Sequence, residues 1–307
     1  MKILTIIFET LLSEKTRVKV EKTILNIALL SFFIHLVVIY LQKFNIVSIA
    51  ENSELLKNPI SAIYTPFSFI LIYEVYLLIY YLPKSFTTYI TKQYEIITLI
   101  IIRKLFKDLS SLQLTSEWFE IKGDLKFTYD IVASLLLFYL IFQFQKHGKQ
   151  KLQEKTETTS FIKSFVKKKK IIAVLLLPLF FVMASYTLIN WLTGAPISPS
   201  QLPILESINN LFFDQFFTVL ILVDVVLLLI SFFYTVDFHK IMRNSGFIIS
   251  TILIRMSFGV SGLVNVLLIV AAVLFGLMMI IIHNKYEKDI LSTNEKTQGL
   301  RNYQNEN

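Results

Sequence analysis

The sequence predicts an all-α polytopic membrane protein made of two tandem four-helix repeats. Three observations carry that reading: long apolar runs, a lysine cluster midway along the chain, and segments that recur at a nearly constant offset. Of the 307 residues, 54% are hydrophobic, and the mean hydropathy is +0.62. A bilayer core of ~30 Å needs ~20 mainly apolar residues as helix, because lipid cannot satisfy open backbone groups. Runs of that length occur at 24–41, 62–82, 127–144, 171–192, 211–234 and 261–282. Six runs of this length, with only scattered charges in them, speak against the buried helices of a soluble enzyme.

Residues 1–19 form an N-terminal cytoplasmic segment. Its start, MKILTIIFETLLSEK, lacks a full signal-peptide core and a small-residue cleavage site. It reads as an amphipathic surface helix with Ile3, Ile6, Ile7, Leu11 and Leu12 on its apolar face. The first membrane repeat covers 20–146, a basic cytoplasmic linker 147–170, and the second repeat 171–283. The tail 284–307 is polar and expected to be disordered. Pro66 and Pro178 are expected to bend their helices, and His35 and Asn265 to hydrogen-bond to neighbouring helices.

The duplication rests on three alignments. EIITLIIIRKLF (95–106) matches FIISTILIRMSF (247–258), PFSFILIYEVYLLI (66–79) matches FFTVLILVDVVLLL (216–229), and NIALLSFFI (26–34) matches VLLLPLFFV (174–182). Glu74 falls on Asp224 and Arg103 on Arg255, with the offset staying near 150 residues throughout. An acid on an acid and an arginine on an arginine carry more weight than matching aliphatics.

Charge sets the topology. Lys15, Arg17, Lys19 and Lys22 precede the first run; Lys146, Lys149, Lys151, Lys155, Lys163 and Lys167 to Lys170 precede the fourth. Residues 193–210 hold no Lys or Arg. Cytoplasmic loops collect Lys and Arg, so the linker and both termini belong in the cytoplasm, in a cytoplasmic (inner) membrane. Six crossings would leave the linker outside. One further helix per repeat, near 89–112 and 238–258, restores the parity and gives eight. The alternative is six transmembrane helices with these two segments lying at the interface. Apolar residues surround Ile96 to Ile102 on all sides, which favours burial over a surface position.

A buried arginine needs an anion, since a charge at a helix centre costs ~2.5–3.5 kcal/mol on insertion scales. At ~1.5 Å per residue, Glu74 and Arg103 reach similar depths from the cytoplasmic ends of their helices, as do Asp224 and Arg255. We expect intramembrane pairs Glu74–Arg103 and Asp224–Arg255, with Asp130 a secondary polar residue near a span end.

The net charge of +8 sits beside the apolar runs and implies anionic lipid headgroups at Lys167–Lys170, not nucleic acid. There are no cysteines, hence no disulfide or thiolate chemistry. The four histidines show no metal-ligand spacing, and no phosphate-cradling or nucleophile motif is present. We therefore expect no enzyme, no cofactor and no metal. The leading expectation is a transporter or channel-like protein for a small ion or polar solute, with its site between the repeats and Glu74, Arg103, Asp224 and Arg255 as polar core. The alternative is a non-catalytic scaffold or subunit, associating with a protein partner or with itself.

Overall fold

The computed structural model describes residues 2–45, 59–111, 122–149, 160–194, 205–234, 237–257, 260 and 263–305. Among these the chain is all-helical, with nine α-helices and no strand. The helices are α1 (Lys2–Leu11), α2 (Glu14–Lys43), α3 (Tyr64–Tyr81), α4 (Phe86–Ser111), α5 (Lys122–Gly148), α6 (Ser160–Gly194), α7 (Leu205–Phe232), α8 (Phe238–Ser257) and α9 (Leu263–Asn305). A 3₁₀ turn, Pro59–Ile63, leads into α3.

Helices α2, α5, α7 and α9 are long and apolar enough to cross a membrane. Their exposed faces are aliphatic and aromatic. On α2 these include Leu29, Leu30, Phe33 and Ile34; on α5, Leu135, Phe138 and Phe142; on α7, Leu222 and Leu229; on α9, Leu267 and Met278. Such faces on this many helices exceed the isolated apolar patches of a water-soluble monomer and mark a lipid-facing surface. The chain is a multi-pass membrane protein.

Local chemistry explains where the helices begin. Ser13 caps α2, its Oγ accepting from the Thr16 backbone N–H at 3.2 Å, and Glu14 complements the helix dipole in the first turn. Ser85 does the same for α4 through Thr88 N at 3.2 Å, after Pro83 has ended the preceding segment. Pro66 lies in the first turn of α3, where its missing N–H has no intrahelical acceptor, so it starts this helix instead of bending it. Pro178 lies inside α6.

Consecutive helices pack in the order α2–α3–α4–α5 and again α6–α7–α8–α9. Between these quartets, α5 meets α9, α4 meets α8, and α3 meets α6. Helix α4 is central: Tyr89, Ile90, Gln93, Tyr94, Ile96, Ile97, Thr98 and Ile101 are all buried. The repeated segments at 95–106 and 247–257 thus lie in packed helices. Their aromatic neighbours interlock across three helices, Tyr94 with Phe144 at 5.0 Å and Phe144 with Phe247 at 5.4 Å between ring centroids.

Close approach at this centre needs small residues. A Cβ added to Gly276 on α9 would lie 2.0 Å from Tyr94 Oη, and one on Gly246 of α8 would lie 2.5 Å from Met279 Cγ. The Tyr94 hydroxyl shares a 2.6 Å hydrogen bond with Ser250 Oγ, which lies 2.6 Å from the Ala272 carbonyl. Asn284 Nδ2 donates to the His147 carbonyl at 2.9 Å, joining α9 to the end of α5. His35 and Thr65 hydrogen-bond α2 to α3 at 2.5 Å, and Asn265 donates to Ser257 O at 2.5 Å.

Two expectations change. The tail expected to be disordered continues α9 as helix to Asn305; its first stretch, KYEKDILSTNEKTQ, contains no Pro or Gly to stop the helix. Within the basic linker, α6 begins at Ser160, so its lysines from Lys163 onward are helical. Residues 150–159 and 112–121 lie outside the described residues, as do the loops at 46–58 and 195–204.

Candidate functional site

Several buried polar residues meet where the two quartets pack together. Asp224 sits in the apolar stretch of α7 and is 1% exposed. Its neighbours come from the other half of the chain. Gln93 on α4 donates from Nε2 to Asp224 Oδ2 at 3.0 Å. Tyr89, one turn earlier on the same face of α4, is fully buried beside this carboxylate. The other carboxylate oxygen, Oδ1, is buried with no hydrogen-bond partner within 3.5 Å, and the Tyr89 hydroxyl has none inside that limit either, although the two side chains lie close enough to interact. A buried acceptor left open costs about 1–3 kcal/mol, so such atoms are rare and informative.

Asp224 also lines a small cavity with Gln93, Arg255, Thr251, Leu78 and Phe217. The walls therefore come from α3 and α4 of the first quartet and α7 and α8 of the second. The space suits about one water-sized particle. A carboxylate, a guanidinium, an amide and a hydroxyl around it can hold a water, a proton or a small desolvated ion. A larger solute does not fit this conformation.

Lys169 was not anticipated as part of the site. It precedes the apolar run of α6, yet is 2% exposed. Its Nζ donates to the Lys84 carbonyl at 2.9 Å and lies over the rings of Phe86 and Phe165 at 4.3 and 5.0 Å. Burial lowers its pKa from 10.5 to about 8, and the Asp224 charge opposes that shift. The patch expected at Lys167–Lys170 therefore faces two ways. Lys167 and Lys168 are exposed, Lys169 turns inward, and Lys170 covers the Phe8 ring of α1 at 4.7 Å. Helix α1 accordingly packs against α6, with Leu12 buried and Ile6 exposed.

The sequence-predicted residues distribute as follows. Glu74 on α3 is 4% exposed, and Arg103 lies on the adjacent α4 near enough for its charge to act on the carboxyl, but no ion pair between them is among the described contacts. Asp224 and Arg255 share the cavity wall, but no direct contact between them is among those described. Instead Asp224 is held by Gln93, while Arg255 NH2 donates to Thr218 Oγ1 at 3.1 Å and its guanidinium lies 5.5 Å from the Phe217 ring centroid. Asp130 on α5 is 2% exposed, not wetted at a span end.

Comparison of the chain with protein-family models, with curated proteins and with solved structures found no match.

Proposed function

We propose that the chain is a membrane transporter or channel-like protein for a small ion, with its site at the junction of two tandem four-helix repeats. The observation that carries this reading is Asp224: a buried carboxylate met by Gln93 and Tyr89 from the other half of the chain, in a cavity walled by both halves. Intramembrane acids that face a cavity mark ion and proton pathways. The room for about one water favours a proton or a small monovalent cation over a larger polar solute. Gln93 and Arg255 then set the affinity, one fixing an oxygen of the acid and the other keeping a positive charge within the same walls.

The two-repeat organisation is supported by the matching order of helix contacts in the quartets and by the meeting of third helix with third and fourth with fourth. At ~1.5 Å per residue, α4 and α8 measure ~39 Å and ~30 Å, long enough for the bilayer core when shielded by neighbours. In this reading α4 and α8 cross the membrane, the linker and both termini face the cytoplasm, and Lys167 and Lys168 contact anionic headgroups.

A second reading has its own observation. Gly276, Tyr94 and Ser250 make a close hydrogen-bonded contact that suits static glue in a scaffold or complex subunit. Flux separates the two. The purified chain in liposomes should pass protons or a monovalent cation down an imposed gradient above protein-free vesicles. Absence of flux for protons, Na⁺ and K⁺ alike sinks the transport reading and leaves the scaffold.

A further inference from the structure

Away from the cavity, the first turn of α8 and the middle of α9 bring three metal-ligating side chains together. His239 comes from α8; His283 and Glu287 stand one turn apart on α9 and so share a face. One ligand atom from each lies within 4.8 Å of the others. His283 Nε2 is 3.2 Å and His239 Nε2 3.9 Å from Glu287 Oε1. The two imidazoles stack at 5.2 Å between centroids with 20° between planes, and Tyr286 covers His239 at 5.2 Å. His283 is 4% exposed, and its Nδ1 is buried without a hydrogen-bond partner.

Arg243 shows which way the remaining lone pair points. Its NH1 is 2.8 Å from His283 Nε2. A guanidinium can only donate, so the imidazole Nε2 accepts, carries no proton, and has its lone pair engaged by Arg243. Through Nε and NH2 the same guanidinium donates to Asn244 Oδ1 at 3.2 and 3.1 Å; the group is a rigid plane, so a metal that takes His283 Nε2 must move the whole side chain. The neighbouring Lys240 is engaged by Asp237 at 3.1 Å.

We propose that His239, His283 and Glu287 form a site for a zinc-class transition-metal dication, with Arg243 as the resident cation that the metal displaces. Two imidazole nitrogens and one carboxylate oxygen leave a fourth position for water, a donor set that suits Zn²⁺ and not the all-oxygen shells of Ca²⁺ or Mg²⁺. Metal–ligand bonds of ~2.0–2.2 Å require the three groups to close inward slightly. Binding would clamp the start of α8 to α9. The proposal is independent of the transport reading.

The test uses Co²⁺, a visible stand-in for Zn²⁺, titrated into the detergent-purified full chain. The expected result is a saturable visible absorption band that Zn²⁺ abolishes. His239→Ala and Glu287→Gln should each weaken Co²⁺ binding at least about tenfold, the loss seen even for second-shell partners. Arg243→Ala should tighten it. Glu287→Gln is near-isosteric and reads ligand loss even where His239→Ala fails to fold; metal-free melting curves report which variants are intact. No saturable band in the wild-type chain, an unchanged affinity in Glu287→Gln, or weaker binding in Arg243→Ala overturns the site.

Discussion

Gln93 and Asp224 lie 131 positions apart in the chain, and their side chains meet at 3.0 Å in the interior. This hydrogen bond joins the third helix of one quartet to the second helix of the other. Tyr89, from the same face of the third helix, lies beside the same carboxylate.

Breaking that bond from one side should hurt more than removing it altogether. Gln93→Leu removes the Oδ2 hydrogen bond of a buried carboxylate and should destabilise the fold by about 1–3 kcal/mol. Replacing both partners by apolar residues can be nearly neutral, so Gln93→Leu with Asp224→Leu should recover most of the loss. Thermal melting of the single and double variants in one detergent checks this. Additive losses would show that the two residues do not share an interaction.

The Gly276–Tyr94 approach gives a second coupled pair. Gly276→Ala places a methyl group 2.0 Å from the tyrosine oxygen, and overpacking of this kind costs about 1–3 kcal/mol. Tyr94→Phe in the same chain removes that oxygen, at the expense of the Ser250 hydrogen bond. The double variant should therefore melt above the value expected from adding the two single losses.

Lys169 predicts a pH dependence. Its pKa is about 8 in the folded chain against 10.5 when solvated. Between those values the unfolded state holds the proton and the folded state has lost it, so stability rises with pH across that window. Below about 8 both states are protonated, and the full burial penalty is present. Lys169→Met should melt higher than wild type at neutral pH, and the gap should narrow on approaching pH 10.5. Parallel melting curves for the two proteins at all pH values would show that Lys169 is not the cause.

Glu74 and Arg103 should depend on each other. Glu74→Arg or Arg103→Glu alone leaves like charges together in the interior, and the yield of monodisperse protein should fall severalfold. The exchanged pair, with both substitutions, should restore it. If neither single variant loses yield, the two charges are not partners.

Much of the architecture was legible because lipid imposes a simple rule: runs such as 24–41 and 261–282 must be helical and long. The recurring EIITLIIIRKLF and FIISTILIRMSF placed α4 and α8 within a few residues of their observed ends. Asp224 and Arg255 stood out because a charge in an apolar run is costly. Gln93, Tyr89 and Lys169 did not. Gln93 and Tyr89 lie in a stretch of ordinary polarity, no local period connects position 93 with position 224, and Lys169 was grouped with the headgroup-facing lysines beside it. The helical tail was missed because polarity was read as disorder, although helix formers without a breaker propagate a long helix once its apolar half is anchored. His239, His283 and Glu287 escaped motif spacing because one ligand comes from a different helix.

Asp224 and Tyr94 both sit at the junction of the halves, but only Asp224 lines the cavity. Ion flux through liposomes carrying Asp224→Asn, compared with Tyr94→Phe at matched protein content, therefore separates a working site from structural glue. We predict at least a tenfold loss for Asp224→Asn, about 1.4 kcal/mol, with Tyr94→Phe staying within about twofold of wild type. Wild-type flux in the Asp224→Asn protein would contradict the account.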